Sequence, residues 1–178
     1  CSDNGKMESA LEGITVLDLS SGIVGPYTTK LLADLGARVL KVERPKGDPS
    51  RLMGPWLNNE EGVESSGTYQ FLNTNKESIV IDLSKKQSYS VLTGLMGLVD
   101  LVVTSFSPAN AEKYKLTPSD IRALTDVNTL AITNFGWTGP YRDFTISETA
   151  LYAMGGEMYS HGIAGQAPLK LGGVAALM

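Results

Sequence analysis

A chain of 178 residues with one cysteine, Cys1, and one histidine, His161, has given up several kinds of chemistry at the outset. A lone cysteine cannot close an intramolecular disulfide or build a cysteine-based metal cluster, and it fits a reducing compartment. Charge of one sign is lacking too: 15 Lys and Arg stand against 19 Asp and Glu, a net charge of -4, so no basic surface is available to hold a nucleic-acid backbone. Any anionic ligand must be met by local groups. No apolar run approaches the roughly 20 residues that span a bilayer. The opening "CSDNGKMESA" has neither a basic segment nor an apolar one, so no secretory signal is read there. These absences lead to an expectation of a cytoplasmic protein with no membrane and no nucleic-acid partner.

What remains is ordinary for a globular domain with a sizeable core: 42% hydrophobic and 19% charged residues. One domain is expected over residues 11–178, with residues 1–10 a tag remnant or flexible tail, since Met7 is a candidate native start. The other end, "LGGVAALM", reads as the first turn of a helix with no capping glycine after it, and suggests a truncated chain.

Strand and helix alternate. Residues 14–19 read as a strand, 25–35 as a helix starting near Gly25-Pro26, and 37–43 as a second strand, which together make a right-handed βαβ crossover. Residues 45–67, rich in Pro, Gly, Asn and Glu, read as a long loop. A strand (78–83), a helix (85–99), a strand (100–106), two short helices within 108–125, a strand (129–135) and a helix from Ile146 follow. Thr117-Pro118 is a good start for the second short helix. The pattern predicts an α/β fold, Rossmann-like and doubly wound, with a mostly parallel sheet.

Ligands of such sheets bind beyond the carboxyl ends of the strands. The loop "SSGIVGPY" after the first strand offers glycines and backbone N–H groups at a helix start, suited to phosphate or a carboxyl-derived oxygen, although it lacks the G-x-G-x-x-G fingerprint. The loop after "ARVLKVE" carries Arg44, Lys46 and Arg51; an arginine fork pairs with phosphate and stacks on adenine, while a solvated charged loop is the plainer reading. In "FLNTNKES", Asn73, Asn75 and Lys76 read as turn chemistry or as a ligand cluster.

Taken together, "LEGITVLDLSSGIVGPYTTKLLADLGARVLKVERPKGDPSR", "YQFLNTNKESIVIDL", "DLVVTSFSP" and "NFGWTGPYRD" resemble, in order and spacing, the N-terminal half of the class III coenzyme A transferases. That family includes formyl-CoA and carnitine-CoA transferases and α-methylacyl-CoA racemases. The resemblance implies the N-terminal part of a Rossmann-like large domain, with the small domain and return segment absent, and an interlocked homodimer in the full-length form. It implies acyl-CoA and a carboxylic acid as partners, coenzyme A as substrate with no permanently bound cofactor, and no metal. Arg44 would meet the adenosine-phosphate end of CoA, and Ser21, Ile23 and Val24 would line the path of the pantetheine arm. Leu72, Asn73, Asn75 and Lys76 would surround adenine and phosphates, and Ser105 and Lys113 stand where relatives often have asparagine and arginine. Glu148 matches a family carboxylate near the thioester, or else is an acid favoured by a helix N-terminus. The transferases attack the thioester with an aspartate, which the racemases use as a base; here that position falls near Leu177 or Ala176, and no Asp or Glu follows Glu157. The expectation is a CoA-binding part of a transferase. The alternatives are a catalytically silent lobe of a fused or heteromeric transferase, and a racemase or isomerase relative. An ordinary nucleotide-binding Rossmann module is disfavoured by the missing fingerprint.

Overall fold

A computed structural model describes residues 9–173 and 177–178. Its centre is a five-stranded sheet of β1 (Thr15–Asp18), β2 (Arg38–Glu43), β3 (Lys76–Val80), β4 (Leu101–Thr104) and β5 (Asn128–Ala131). The strand order is β3-β2-β1-β4-β5 and every pairing is parallel. The chain winds outward from β1 in one direction through β2 and β3, then returns to the other side of β1 for β4 and β5. That reversal creates a switch point between β1 and β4.

The helices follow from the two faces. On β1 the side chains alternate, Val16 to one face and Leu17 to the other. Val16, Val39 and Val103 pack with Ala33 of α1 (Val24–Asp34) and with Ala37. On the opposite face Leu17, Val42 and Val102 pack with Leu92 and Met96 of α3 (Lys86–Met96), with Leu116, and with Ile121 of α5 (Pro118–Leu124). A short α4 (Pro108–Tyr114) joins β4 to α5, and α6 (Glu148–Met154) and α7 (Glu157–Ser160) follow β5. Thr117 accepts from the Asp120 N–H at 3.1 Å while Asp120 accepts from the Thr117 N–H at 3.0 Å, a reciprocal cap at the start of α5.

Two stretches differ from the sequence expectation. Residues 45–67 are not a plain loop: they fold into two 3₁₀ turns, Pro49–Leu52 and Leu57–Asn59. A helix not foreseen, α2 (Gly67–Leu72), then starts where the Ser66 hydroxyl accepts the Tyr69 N–H at 3.1 Å. Its six residues are too few for helical periodicity to register. β3 consequently begins at Lys76 rather than Ser78 and ends at Val80. Among the described residues no helix is long and apolar enough to cross a membrane.

Candidate ligand site at the carboxyl edge of the sheet

The switch point is built from the loops after β1 and β4. The Ser21 N–H donates to Ser105 Oγ at 3.0 Å, which ties the two loops across the gap. Gly22 then turns at φ +81°, a conformation that side chains disfavour, and α1 opens at Val24 with no side-chain cap on its first N–H groups. Gly25 lets this helix start approach the loop after β1, because a Cβ there would lie 2.2 Å from Ser20 Cβ. Ile23 is buried beneath the turn, Val24 is half-buried and Ser21 is exposed. The result is a helix N-terminus without a side-chain cap at the switch point, a geometry suited to an anionic or carbonyl oxygen.

Arg44 follows β2 directly, is exposed, and sits on the same carboxyl edge. Beside it a groove of about 340 Å³ is lined by Pro45, Val80, Ile81, Asp82, Lys85 and Val91, at the ends of β2 and β3. A larger cleft, about 550 Å³, lies on the β5 flank among Glu112, Thr117, Ser119, Trp137 and Arg142, next in sequence to the exposed Lys113 at the end of α4. Of the two, the groove beside Arg44 shares an edge with the switch point, which makes it the better continuation of that site.

The remaining residues singled out in the sequence are placed differently. Lys76 opposes Val39 in the β2–β3 register, so Asn73, Asn75 and Lys76 enter the sheet at its amino edge, opposite the switch point. Leu72 is fully buried. Asn73 donates to the Tyr69 carbonyl, and Asn75, at φ +64°, bonds Asp34. The Lys76 side chain, 1% exposed, reaches inward to Asp18 at 3.2 Å, to the Pro26 carbonyl and Thr29 Oγ1 at 2.7 Å each, and to Asn73 Oδ1 at 3.0 Å. Its ammonium is spent inside the protein. On the carboxyl edge, Ile81, Asp82 and Lys85 of the groove follow β3, whereas Asn73 to Lys76 lie at or before its start.

Lys76 belongs to a buried charged layer on the α1 face. Asp18, Lys41, Glu43, Lys76 and Ser78 occupy alternate positions of three adjacent strands, continuing the apolar row of Val16 and Val39 towards the carboxyl edge. Lys41, 1% exposed, pairs with Asp48 Oδ2 at 2.9 Å and donates to the Ser20 carbonyl at 3.2 Å. Glu43 takes both arms of the Arg51 guanidinium at 2.8 and 3.0 Å, together with Ser78 Oγ at 2.8 Å and the Tyr69 hydroxyl. Arg51 lies 3.7 Å over the Tyr69 ring centroid. Burial pushes the Glu43 carboxyl up, but these donors outweigh it and bring it down to about 2. Asp48 is likewise held below the usual range, burial being overcome by Lys41 and Ser50.

Burial, reinforced by the neighbouring Lys41 charge and opposed by Asp18, lowers Lys76 from 10.5 to about 8. The folded protein thus binds its Lys76 proton more weakly than the unfolded chain does, and stability is expected to rise as pH climbs from about 8 towards 10. Urea unfolding across that window should give a slope that Lys76→Met flattens. An identical slope in the variant would mean that the lysine does not carry it.

Glu148 is the first residue of α6, where the Ser147 hydroxyl caps Ala150. Its Oε2 pairs with Lys170 at 2.9 Å, and Lys170 also grips the Leu171 and Gly173 carbonyls at 2.9 and 2.8 Å. Glu148 Oε1 is buried with no hydrogen-bond partner among the described residues. The acid therefore anchors the glycine-rich segment to α6 as well as standing at a helix start. Leu177 offers no acid, and Ala176 lies outside the described residues. Among the described residues no group of three His, Cys, Asp or Glu is arranged to hold a metal ion.

The family description "CoA-transferase family III" matches residues 11–176. The chain belongs to that family. Formyl-CoA:oxalate CoA-transferase of Streptomyces avermitilis is 38% identical over 170 residues, which is 93% of this chain and 40% of that protein. Succinyl-CoA:(R)-benzylsuccinate CoA-transferase subunit BbsE of Thauera aromatica is 35% identical over 156 residues, 87% of this chain and 38% of that subunit. The crystal structure of a CAIB/BAIF family protein from Brucella suis superposes with a TM-score of 0.86 at 30% identity, covering 96% of this chain and 45% of the other. The chain thus spans less than half the length of the family members it matches, and its all-parallel sheet agrees with the family fold.

Proposed function

We propose that this chain is the coenzyme A-binding part of a class III transferase, which in full-length form moves CoA between an acyl-CoA thioester and a carboxylic acid. The observation that carries the reading is the continuity of one edge: the Ser21–Ser105 switch point, the uncapped start of α1, exposed Arg44 and the groove of Pro45, Ile81, Asp82 and Lys85. CoA is a polyanionic head on a long uncharged arm, and such an edge can take the head at the Arg44 end and the arm along Ser21, Ile23 and Val24. Lys113 and Ser105 would serve the same ligand from the β4 side. CoA transfer between acids, stated in the names of both curated relatives above, supports the substrate class. A second copy of the chain as dimer partner and a cytoplasmic setting complete the reading.

The second reading is a silent lobe. It is favoured by the family nucleophile position falling near Leu177 or Ala176, neither of which is an acid.

Arg44 decides the binding part. Losing a charge-assisted contact to phosphate, or a stack on adenine, costs roughly 1.5–3 kcal/mol, so Arg44→Ala should weaken CoA binding about tenfold or more. Calorimetric titration with CoA reads this directly. Equal affinity in wild type and variant would remove Arg44 from the site.

A further inference from the structure

The loop after β1 is fastened on two sides. Towards β4 the post is Ser105, which takes the Ser21 N–H at 3.0 Å. Towards β2 the post is Asp48, and its hydrogen bonds are unusually shared. Asp48 Oδ1 accepts the Gly22 N–H at 3.2 Å, the Ser50 N–H at 2.8 Å and the Ser50 hydroxyl at 2.7 Å. Oδ2 takes the Lys41 ammonium at 2.9 Å, and Lys41 reaches on to the Ser20 carbonyl at 3.2 Å. The Asp48 N–H is itself held by Glu43 Oε2 at 3.0 Å, so the carboxylate has little freedom to move.

A cap for the 3₁₀ turn Pro49–Leu52 would need only the Ser50 contacts. The Gly22 and Lys41 contacts exceed that task, and both bear on the loop after β1. Gly22 is the residue at φ +81° whose turn sets the exposed Ser21 on one side and the start of α1 on the other. The 44–50 connection that carries Asp48 also carries Arg44.

The geometry points to Asp48 as a positioning residue: it ties the switch-point loop to the Arg44 loop, so that the two ends of one ligand meet surfaces held at a fixed spacing. This rests on the CoA-binding reading above. Asp48 is 4% exposed, so it acts through Gly22, Ser20 and Lys41.

The test pairs two readouts on Asp48→Ala and Asp48→Asn: CoA affinity by calorimetric titration, at a temperature where each variant is fully folded, and hydrogen exchange of the Gly22 amide without ligand. Asp48→Ala should weaken CoA binding about tenfold and speed Gly22 exchange at least as much, while β4 amides keep their protection. Asp48→Asn keeps an acceptor for Gly22 and should recover part of both. A folded Asp48→Ala protein with wild-type affinity, or with wild-type exchange at Gly22, overturns the proposal, even if its melting temperature has dropped. Should Asp48→Ala fail to fold, Asp48→Asn decides by the same readouts. Should neither fold, fast Gly22 exchange in the wild-type protein overturns the proposal and slow exchange supports it. A wild-type protein that binds no CoA is a different result, since it sinks the function reading itself.

Discussion

Glu43→Ala is expected to destabilise the protein by about 3–5 kcal/mol, the usual consequence of removing one partner from a buried ion pair. The loss is large because one carboxylate on β2 serves three further segments. Arg51 and Asp48 belong to the loop after β2, Tyr69 to α2 and Ser78 to β3. Without it the Arg51 guanidinium, 14% exposed, has Glu64 as its remaining carboxylate partner. Urea denaturation at neutral pH measures the difference, and the double substitution Glu43→Leu with Arg51→Met, which removes both charges, should recover part of it, since the Tyr69 and Ser78 hydroxyls and the Asp48 N–H still lose their acceptor. The acid limb gives an independent check. Glu43 falls from 4.5 to about 2 on folding, so its contribution is complete above pH 4.5 and disappears as pH drops towards 2. Wild type should lose stability over that interval faster than Glu43→Ala. Parallel curves, or a cost below 1 kcal/mol, would show that the network fills space without holding the loop.

The second large effect is catalytic. The 178-residue chain on its own should transfer no CoA from an acyl-CoA to a free acid, because the resemblance puts the nucleophile position near Leu177 or Ala176, and neither side chain can attack a thioester or move a proton. Loss of a covalent nucleophile ordinarily removes orders of magnitude in rate. Glu148, the acid the resemblance points to, is paired with Lys170 at 2.9 Å at the start of α6. Incubation with acyl-CoA and hydroxylamine, which traps enzyme anhydrides, is expected to leave every glutamate unmodified. A hydroxamate at Glu148 would instead make that residue a replacement nucleophile and remove the case for a silent lobe.

The contrast between what could be read early and what could not has a physical origin. The β1–α1–β2 unit was legible because its signals are local: an apolar run, Gly-Pro at the helix start, Gly36 at the helix end. The parallel, doubly wound character of the sheet followed from strand and helix alternation, while the order of its strands rests on the pairings themselves. The carboxyl-edge loops of β1 and β2 were legible for the same reason. Lys76 was not, since its partner Asp18 lies 58 residues away and no local pattern distinguishes a lysine offered to a ligand from one folded inward. Lys41 and Glu43 carried a usable signal, two charges at alternate positions among the apolar residues Val39, Leu40 and Val42, in a strand next to the centre of a parallel sheet. The groove residues Ile81, Asp82 and Lys85 form no motif and gain meaning from Pro45, which arrives from a different crossover.

The alternation of charge on the α1 face also governs how the strands can be assembled. β2 reads Val-Leu-Lys-Val-Glu from Val39, and a shift of one residue against β1 would turn Lys41 and Glu43 into the layer of Leu17, Leu92 and Met96 while presenting Leu40 and Val42 to Asp18. A strand of uniform valine and leucine would pay little for the same slip, because both of its faces are alike. Here the misregistered sheet would bury two unpaired charges and strand a third, a penalty of several kcal/mol at each site. The polar layer thus acts as an assembly key, rejecting wrong registers during folding.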